Sequence, residues 1–168
     1  MSIRLQTFSY RFAEQVLNGK FYIKQELTDI IYAATTDLSV LSRPQFNEIL
    51  RDQFVTKGWI DQPQVFTEHD DAYARFDYLK DRVGVEVQLG HSSFVGIDLL
   101  KFQIASYANL DTIDFGVYIV TTKALQKHLK QQYHLKWEGS LTFEKVKRYL
   151  PYIRSAIQVP VYVIGIDY

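Results

Sequence analysis

The sequence predicts a mixed α/β domain in which a central β-sheet is flanked by helices and the N-terminal part is helical. Three observations lead to this fold class. Apolar residues recur at steps of three and four over the first 58 residues, as on one face of a helix. The step changes to two between residues 72 and 89, and apolar segments follow near residues 115–120 and 159–166, as in strands. A chain of 168 residues without a repeat or linker is interpreted as one domain, residues 1–168.

Three helices are predicted in the N-terminal third of the chain. The first covers residues 8–17 and ends at Gly19, and the second covers residues 23–34. The third begins at Ser42, a residue type that caps helix N-termini, and ends at Gly58. The front end of the domain is therefore expected to be all helical.

A β-hairpin is predicted next, followed by alternating helices and strands. Residues 72–79 and 83–89 each alternate with a step of two, and a short turn at residues 80–82 joins them. The segments expected after the hairpin are helices over residues 97–108, 123–132 and 143–156, with strands over residues 115–120 and 159–166. The first of these helices is predicted from apolar positions at Ile97, Leu100, Ile104 and Tyr107.

Composition excludes several function classes. The chain contains no Cys, which rules out disulfides, thiolate metal sites and cysteine nucleophiles. No segment approaches the ~20 apolar residues of a membrane span and no signal-peptide pattern opens the chain, so a soluble, cytoplasmic protein without a membrane partner is expected.

Charge is divided unevenly along the chain, although the formal net charge is zero. Residues 121–168 contain eight Lys or Arg and three Asp or Glu, a net charge of +5, so residues 1–120 carry −5. This division suits a protein that binds phosphates with one surface and a divalent cation with another, and it equally fits an ordinary solvated charge distribution.

The hairpin carries the residues most informative about chemistry. Glu86 and Gln88 share one face of its second strand, and the turn brings Asp77 of the first strand towards that face. These oxygen atoms, with the backbone carbonyl of Val87, suit Mg²⁺, which binds one or two carboxylates and takes further ligands from water and phosphates. Water activated by such an ion is suited to phosphodiester hydrolysis. From spacing alone, a hairpin with a polar solvent face is the simpler interpretation.

The run of Asp77, eight residues and then Glu86-Val87-Gln88 resembles the nuclease motif of the PD-(D/E)xK superfamily. Gln88 stands where most members have Lys, and this Glu-x-Gln form, with Arg75-Phe76-Asp77, resembles type II restriction endonucleases of the Bgl II type. The resemblance covers roughly residues 45–166 and implies a restriction-endonuclease-like fold. It includes residues 47–52 and 57–59 before the motif, and residues 117–123 and 159–165 after it.

The resemblance implies a role for each residue of the motif. Asp77 is then a metal ligand, Glu86 assists the metal or the nucleophilic water, and the Val87 carbonyl completes the Mg²⁺ site. Gln88 orients water or phosphate. Because an amide carries no charge, stabilisation of the negative charge that develops on the phosphate falls more heavily on the metal.

Two groups of polar residues are candidate DNA contacts. The loop Gly90-His91-Ser92-Ser93 lies where the family has a loop that approaches DNA, so its side chains are expected to contact base edges or phosphates. Lys101, Lys123, Lys127 and Lys130 are candidate phosphate contacts. A plain polar turn and ordinary solvated lysines are the alternative interpretations.

The function implied by the resemblance is Mg²⁺-dependent hydrolysis of duplex DNA by a type II restriction endonuclease. A homodimer is expected because cutting both strands of a palindromic site needs two centres, and a cognate DNA methyltransferase is the companion expected of a restriction system. Members of the family continue past the last shared strand into a region that helps surround DNA, so hydrolysis is implied more directly than sequence-specific cleavage. The alternatives are a non-cleaving DNA-binding or repair-associated module and an interaction domain that keeps only the fold.

Overall fold

A six-stranded mixed β-sheet forms the centre of the protein in its computed structural model, which describes residues 2–65, 74–107, 111–137 and 139–168. The strands are β1 (Arg4–Tyr10), β2 (Ile60–Asp61), β3 (Tyr78–Lys80), β4 (Val83–Val87), β5 (Phe115–Thr121) and β6 (Val161–Asp167). Their order across the sheet is β1-β6-β5-β4-β3-β2. β4, β5 and β6 run parallel, whereas the β1–β6, β3–β4 and β2–β3 pairs are antiparallel.

Helices cover both faces of this sheet, which confirms the predicted fold class. They are α1 (Ala13–Asn18), α2 (Phe21–Ala34), α3 (Arg43–Thr56), α4 (Val95–Ser106), α5 (Lys123–Tyr133) and α6 (Phe143–Tyr149), with 3-10 turns at Leu38–Val40, Ser92–Phe94 and Leu150–Ile153. α1, α2, α3 and α5 contribute to the hydrophobic core on one face, and α4 and α6 to the core on the other. Within the described residues no helix is both long and apolar enough to cross a bilayer.

Local sequence signals explain the elements that were predicted correctly. α3 begins after Ser42, whose side chain and that of Gln45 form a capping box, and the chain turns at Gly58 with a φ of 79°. β3 and β4 form the expected hairpin. Asp81 and Arg82 join the two strands with φ angles of 47° and 65°, the positive values of a type I′ turn. Of the strand predicted over residues 72–79, residues 72 and 73 lie outside the described residues, and only Tyr78 and Leu79 belong to β3.

The helix predicted over residues 8–17 is wrong in its first part. Residues 4–10 form β1 and pair with β6 along their whole length, and α1 begins only at Ala13. Phe12, expected on the apolar helix face, is 76% exposed. Pairing with a strand more than 150 residues away therefore overrides the local helical spacing.

α4 is a helix as predicted, but its buried face is not the predicted one. Ile97, Leu100 and Tyr107 are exposed. The residues of α4 that are buried are Asp98, Leu99, Lys101, Phe102 and Ala105. This rotation brings a carboxylate and an ammonium group into the protein interior.

The helix predicted over residues 143–156 is also shorter than expected. α6 ends at Tyr149 and continues as the 3-10 turn Leu150–Ile153. Pro151 explains the change, because it has no backbone N–H to donate to the preceding turn of an α-helix.

Gly116 in β5 allows α4 to pack closely on the sheet. A Cβ atom at this position would lie 2.6 Å from the ring of the fully buried Phe102. We expect Gly116→Ala to lower the free energy of unfolding by about 1–3 kcal/mol, because the ring cannot move without disturbing the core. Urea denaturation measures this loss.

The matched control is Gly96→Ala in the first turn of α4, where no heavy atom lies within 4 Å of the added Cβ. We expect this variant to be at least as stable as the native protein, since Ala favours helix over Gly. Equal stability of the Gly116→Ala and native proteins would contradict the close contact of α4 with β5.

Candidate active site

Asp77 is held between two strands immediately before β3. Its carbonyl accepts a hydrogen bond of 2.9 Å from the Gln62 N–H, and its N–H donates to the Val85 carbonyl over 3.1 Å. The Asp77 carboxylate accepts a 2.7 Å hydrogen bond from the Val87 N–H. Because the N–H and C=O of a residue in an extended strand point to the same side, the Val87 carbonyl lies on the Asp77 side of β4. The structure therefore brings together two of the predicted ligands.

Glu86 is the second carboxylate of the site and is only 4% exposed. The hairpin ladder ends at the Tyr78–Val85 pair, directly before Asp77 and Glu86 on their strands, and the two carboxylates are close enough for the charge of Asp77 to act on Glu86. Burial raises the pKa of Asp77 from 3.8 to about 6. Burial and the charge of Asp77 raise the pKa of Glu86 well above its usual value. Two carboxylates in this position favour a nearby cation.

Lys101 from α4 places an ammonium group beside these carboxylates. Its Nζ atom lies 2.6 Å from Glu86 Oε1 and 3.2 Å from Asp98 Oδ1, so it forms an ion pair with each carboxylate. Nζ also donates a 3.0 Å hydrogen bond to the Arg75 carbonyl. Burial opposes the charge of Lys101, but the carboxylates outweigh it and raise the pKa of this ammonium. Lys101 of α4 thus supplies a positive charge that the neutral Gln88 does not.

Asp98 connects Lys101 to Gln88 and is 3% exposed. Its Oδ2 atom accepts hydrogen bonds from the Tyr118 hydroxyl at 2.7 Å and from Gln88 Nε2 at 3.0 Å. Gln88 Oε1 in turn accepts a 2.8 Å hydrogen bond from the Gly90 N–H. Both ends of the Gln88 amide are therefore bonded within the protein, and this side chain joins the loop after β4 to the buried ion-pair cluster.

Sequence reasoning missed Asp98, and it selected Lys101 as a candidate phosphate contact on the correct helix without indicating its burial. Lys101 is 6% exposed and paired with carboxylates. A signal was present, because Asp98 and Lys101 are opposite charges three residues apart in an otherwise apolar segment. Whether this charged pair lies in the interior or on the surface depends on which face of α4 is buried.

Two small cavities open beside Asp77. One of about 200 Å³ is also lined by Asn47, Asp61 and Val87. The other, of about 190 Å³, is also lined by Arg75, Phe94, Asp98 and Lys101. They leave space for small groups such as water or a phosphate oxygen next to Asp77.

The donor set fits a hard divalent cation that is shared with a substrate. In the described ranges, no group of three or more His, Cys, Asp or Glu side chains is arranged to hold a metal ion. Mg²⁺, however, is usually bound by only one or two carboxylates and completes its shell with water and phosphate oxygens. Asp77, Glu86 and the Val87 carbonyl meet that requirement.

The predicted DNA-contact loop begins at the carboxyl end of β4. The Gly90 carbonyl accepts a hydrogen bond from the Leu141 N–H, which ties the loop to the segment before α6. His91 and Ser93 are exposed, and their side chains contact each other at 3.0 Å between Nδ1 and Oγ. Ser92 is half-buried. The loop therefore presents two polar side chains next to Gln88.

Lys123, Lys127 and Lys130, the other candidate phosphate contacts, lie on α5. Their spacing of four and three residues puts them on one side of this helix. All three are exposed and line the same surface cleft. They are separate from the buried cluster around Lys101.

Comparisons with known proteins define the class to which this fold belongs. The structure of restriction endonuclease BglII complexed with a DNA 16-mer matches with a TM-score of 0.72 and 16% identity, over 96% of this chain and 75% of that chain. Free BglII matches with a TM-score of 0.67 and 15% identity, over 98% of this chain and 80% of that chain. No curated protein matches in sequence. The fold is that of a restriction endonuclease.

The family follows from the sequence. The family model described as restriction endonuclease BglII/BglIII matches residues 5–166. The chain belongs to the BglII/BglIII family of restriction endonucleases, which confirms the resemblance based on the Asp77 and Glu86-Val87-Gln88 motif. Membership identifies it as a DNA endonuclease of the restriction class.

Proposed function

We propose that the protein hydrolyses phosphodiester bonds in duplex DNA with Mg²⁺, through Asp77, Glu86 and Gln88. The observation that carries this proposal is the pair of carboxylates at the end of the hairpin, whose pKa values are both raised. A pair that resists ionisation in the free protein gains most when a divalent cation binds. In a chain of this family, the matching substrate is a DNA phosphate.

The carboxylates of Asp77 and Glu86 and the Val87 carbonyl would hold the ion, which supplies an activated water and neutralises charge on the phosphate. The hydrogen bond from the Val87 N–H fixes the orientation of the Asp77 carboxylate. Glu86, the second carboxylate beside the ion, would accept a proton from the attacking water. A bond then forms between the water oxygen and phosphorus, and the bond from phosphorus to the leaving sugar oxygen breaks.

Lys101 and Gln88 support this step from opposite ends of Asp98. Lys101 Nζ lies beside Glu86 and lines a cavity at Asp77, so its positive charge opposes the negative charge that develops on the phosphate. Gln88 holds Asp98 through its Nε2 atom, and Asp98 holds Lys101. In this proposal Gln88 positions the Lys101 ammonium group through Asp98 and does not take over its role.

The partners follow from the same chemistry. A homodimer would place two centres on a two-fold axis and cut both strands of a palindromic site. The exposed His91 and Ser93 next to the site are suited to contact base edges or phosphates. A cognate DNA methyltransferase would protect the host sequence.

The ion pair between Lys101 and Glu86 favours one alternative. It neutralises Glu86 without any metal, as a non-cleaving DNA-binding module of the same fold would require. In that case the protein binds duplex DNA with strong salt dependence but leaves it intact.

Incubation of supercoiled plasmid with the protein and Mg²⁺ tests the proposal. We expect cleavage that is lost in Asp77→Ala and on chelation of the metal. Discrete linear fragments indicate paired cuts at defined sites, whereas nicked circles contradict the paired-centre dimer. Plasmid that stays intact but is bound by the protein supports the non-cleaving module, and cleavage that survives in Asp77→Ala rules out the assigned site.

A further inference from the structure

A cleft with a volume of about 770 Å³ lies between α5 and α6. Lys123, Lys127 and Lys130 line it from α5, and Lys145 and Arg148 line it from α6. We call this feature the basic cleft. Of the charged Asp, Glu, Lys and Arg side chains described in its lining, Glu144 is the one acid.

Glu144 offsets only one of the five positive charges that line the cleft. Its carboxylate accepts hydrogen bonds of 3.1 and 3.2 Å from the Lys123 N–H at the start of α5, where a negative charge also favours the helix N-terminus. Two rows of cations therefore face one open cleft. Such an arrangement suits a polyanion with regularly spaced charges better than a single phosphate group.

The basic cleft is linked to the candidate active site by lining residues that neighbouring cavities share. Gly139 lines both this cleft and a neighbouring cavity of about 510 Å³ that is also lined by Gly90, His91 and Asn47. Asn47 in turn lines the cavity at Asp77. A path along the surface thus leads from the carboxylates, past the loop after β4, to the two rows of cations.

We infer that the basic cleft binds the phosphate backbone of duplex DNA beside the bond that is cut, with Lys145 and Arg148 of α6 as contacts in addition to the lysines of α5. The inference rests on the proposed function and extends it to a second surface. Contacts of this kind add affinity without reading sequence. They also make affinity depend on salt, because each neutralised phosphate releases counterions.

Lys147 of α6 and Arg154, which follows the 3-10 turn after α6, provide a matched control within the same chain. Lys147 points away from the basic cleft, with its Nζ atom 5.9 Å from the ring centroid of Phe8. Arg154 lines a separate small cavity that also includes Phe8. Lys147→Gln/Arg154→Gln therefore removes the same two charges as Lys145→Gln/Arg148→Gln, but outside the cleft.

Binding of a labelled 30-base-pair duplex, with EDTA present to prevent cleavage, is measured at salt concentrations from about 50 to about 300 mM. We expect the slope of log K against log salt to become shallower by about 1.8 in Lys145→Gln/Arg148→Gln, about 0.9 for each lost phosphate contact. The slope of Lys147→Gln/Arg154→Gln is expected to equal that of the native protein. Urea unfolding of all three proteins verifies that they are folded.

The outcomes separate this inference from the proposed function. Native-like slopes in both double variants would overturn the basic cleft as a DNA surface while leaving the proposed nuclease intact. Equal losses in both would also overturn it, because the effect would then come from net charge. A native protein that binds no duplex even at low salt would overturn both the inference and the proposed function.

Discussion

Asp77→Asn is expected to abolish DNA cleavage and to stabilise the metal-free protein at pH 8. We expect activity to fall by at least about 1,000-fold, or ~4 kcal/mol of transition-state stabilisation, because a neutral amide is a poor ligand for a divalent cation. A plasmid cleavage assay measures this loss. Stability changes in the opposite direction, because the ionised carboxylate is unfavourable in the folded protein.

The sign follows from the pKa of Asp77, which folding raises from 3.8 to about 6. The folded state holds this proton more tightly than the unfolded chain. The contribution of Asp77 to the free energy of unfolding is therefore complete below about pH 4 and is lost as the pH rises through about 6. At pH 8 the loss corresponds to ~3 kcal/mol at most. Urea unfolding of Asp77→Asn should therefore show a gain at pH 8 that disappears near pH 4.

Mg²⁺ and a second variant serve as controls for this result. The native protein should gain thermal stability from Mg²⁺ above pH 6, whereas Asp77→Asn should gain little, because a ligand stabilises only the state that binds it. Asp61→Asn changes a carboxylate of the same cavity that is paired with Arg51, and it is expected to lose up to about 1 kcal/mol. A loss of stability at pH 8 in Asp77→Asn would show that Asp77 ionises there without penalty.

The hairpin and its carboxylates could be predicted because their geometry is local. Strand alternation and a two-residue turn at Asp81 and Arg82 place Asp77 beside Glu86 regardless of the rest of the chain. Strand β1 could not be predicted in the same way. Its partner β6 lies more than 150 residues away, and spacing at Phe8 and Phe12 imitates one turn of a helix.

The second half of the site depended on tertiary packing. Spacing at Ile97 and Leu100 correctly predicts a helix but selects the wrong buried face. The true face is fixed by Phe102, which packs over Gly116 of β5 and turns Asp98 and Lys101 towards Glu86. Burial of those charges is tolerated because Lys101 contacts Glu86 and the Arg75 carbonyl, which lie on other elements. No local sequence pattern contains that information.

Lys101→Met is expected to lower both activity and stability. Cleavage should fall by about 100- to 1,000-fold, as when one group that stabilises developing charge is removed. The free energy of unfolding should fall by about 3–5 kcal/mol at pH 8, because Glu86 and Asp98 lose the cation between them. The loss should shrink at lower pH, where Glu86 is protonated, since its pKa is raised. Lys147→Met, on the outer face of α6, is expected to change neither quantity.

A double variant separates the structural and chemical parts of this effect. Lys101→Met/Glu86→Gln removes both members of the closest ion pair, so we expect it to regain part of the stability lost in Lys101→Met. Its activity should stay low, because neither the cation nor the second carboxylate is restored. Recovery of stability would show that the loss in Lys101→Met comes from the unpaired Glu86 carboxylate, whereas native cleavage by Lys101→Met would leave Lys101 a structural partner of Glu86.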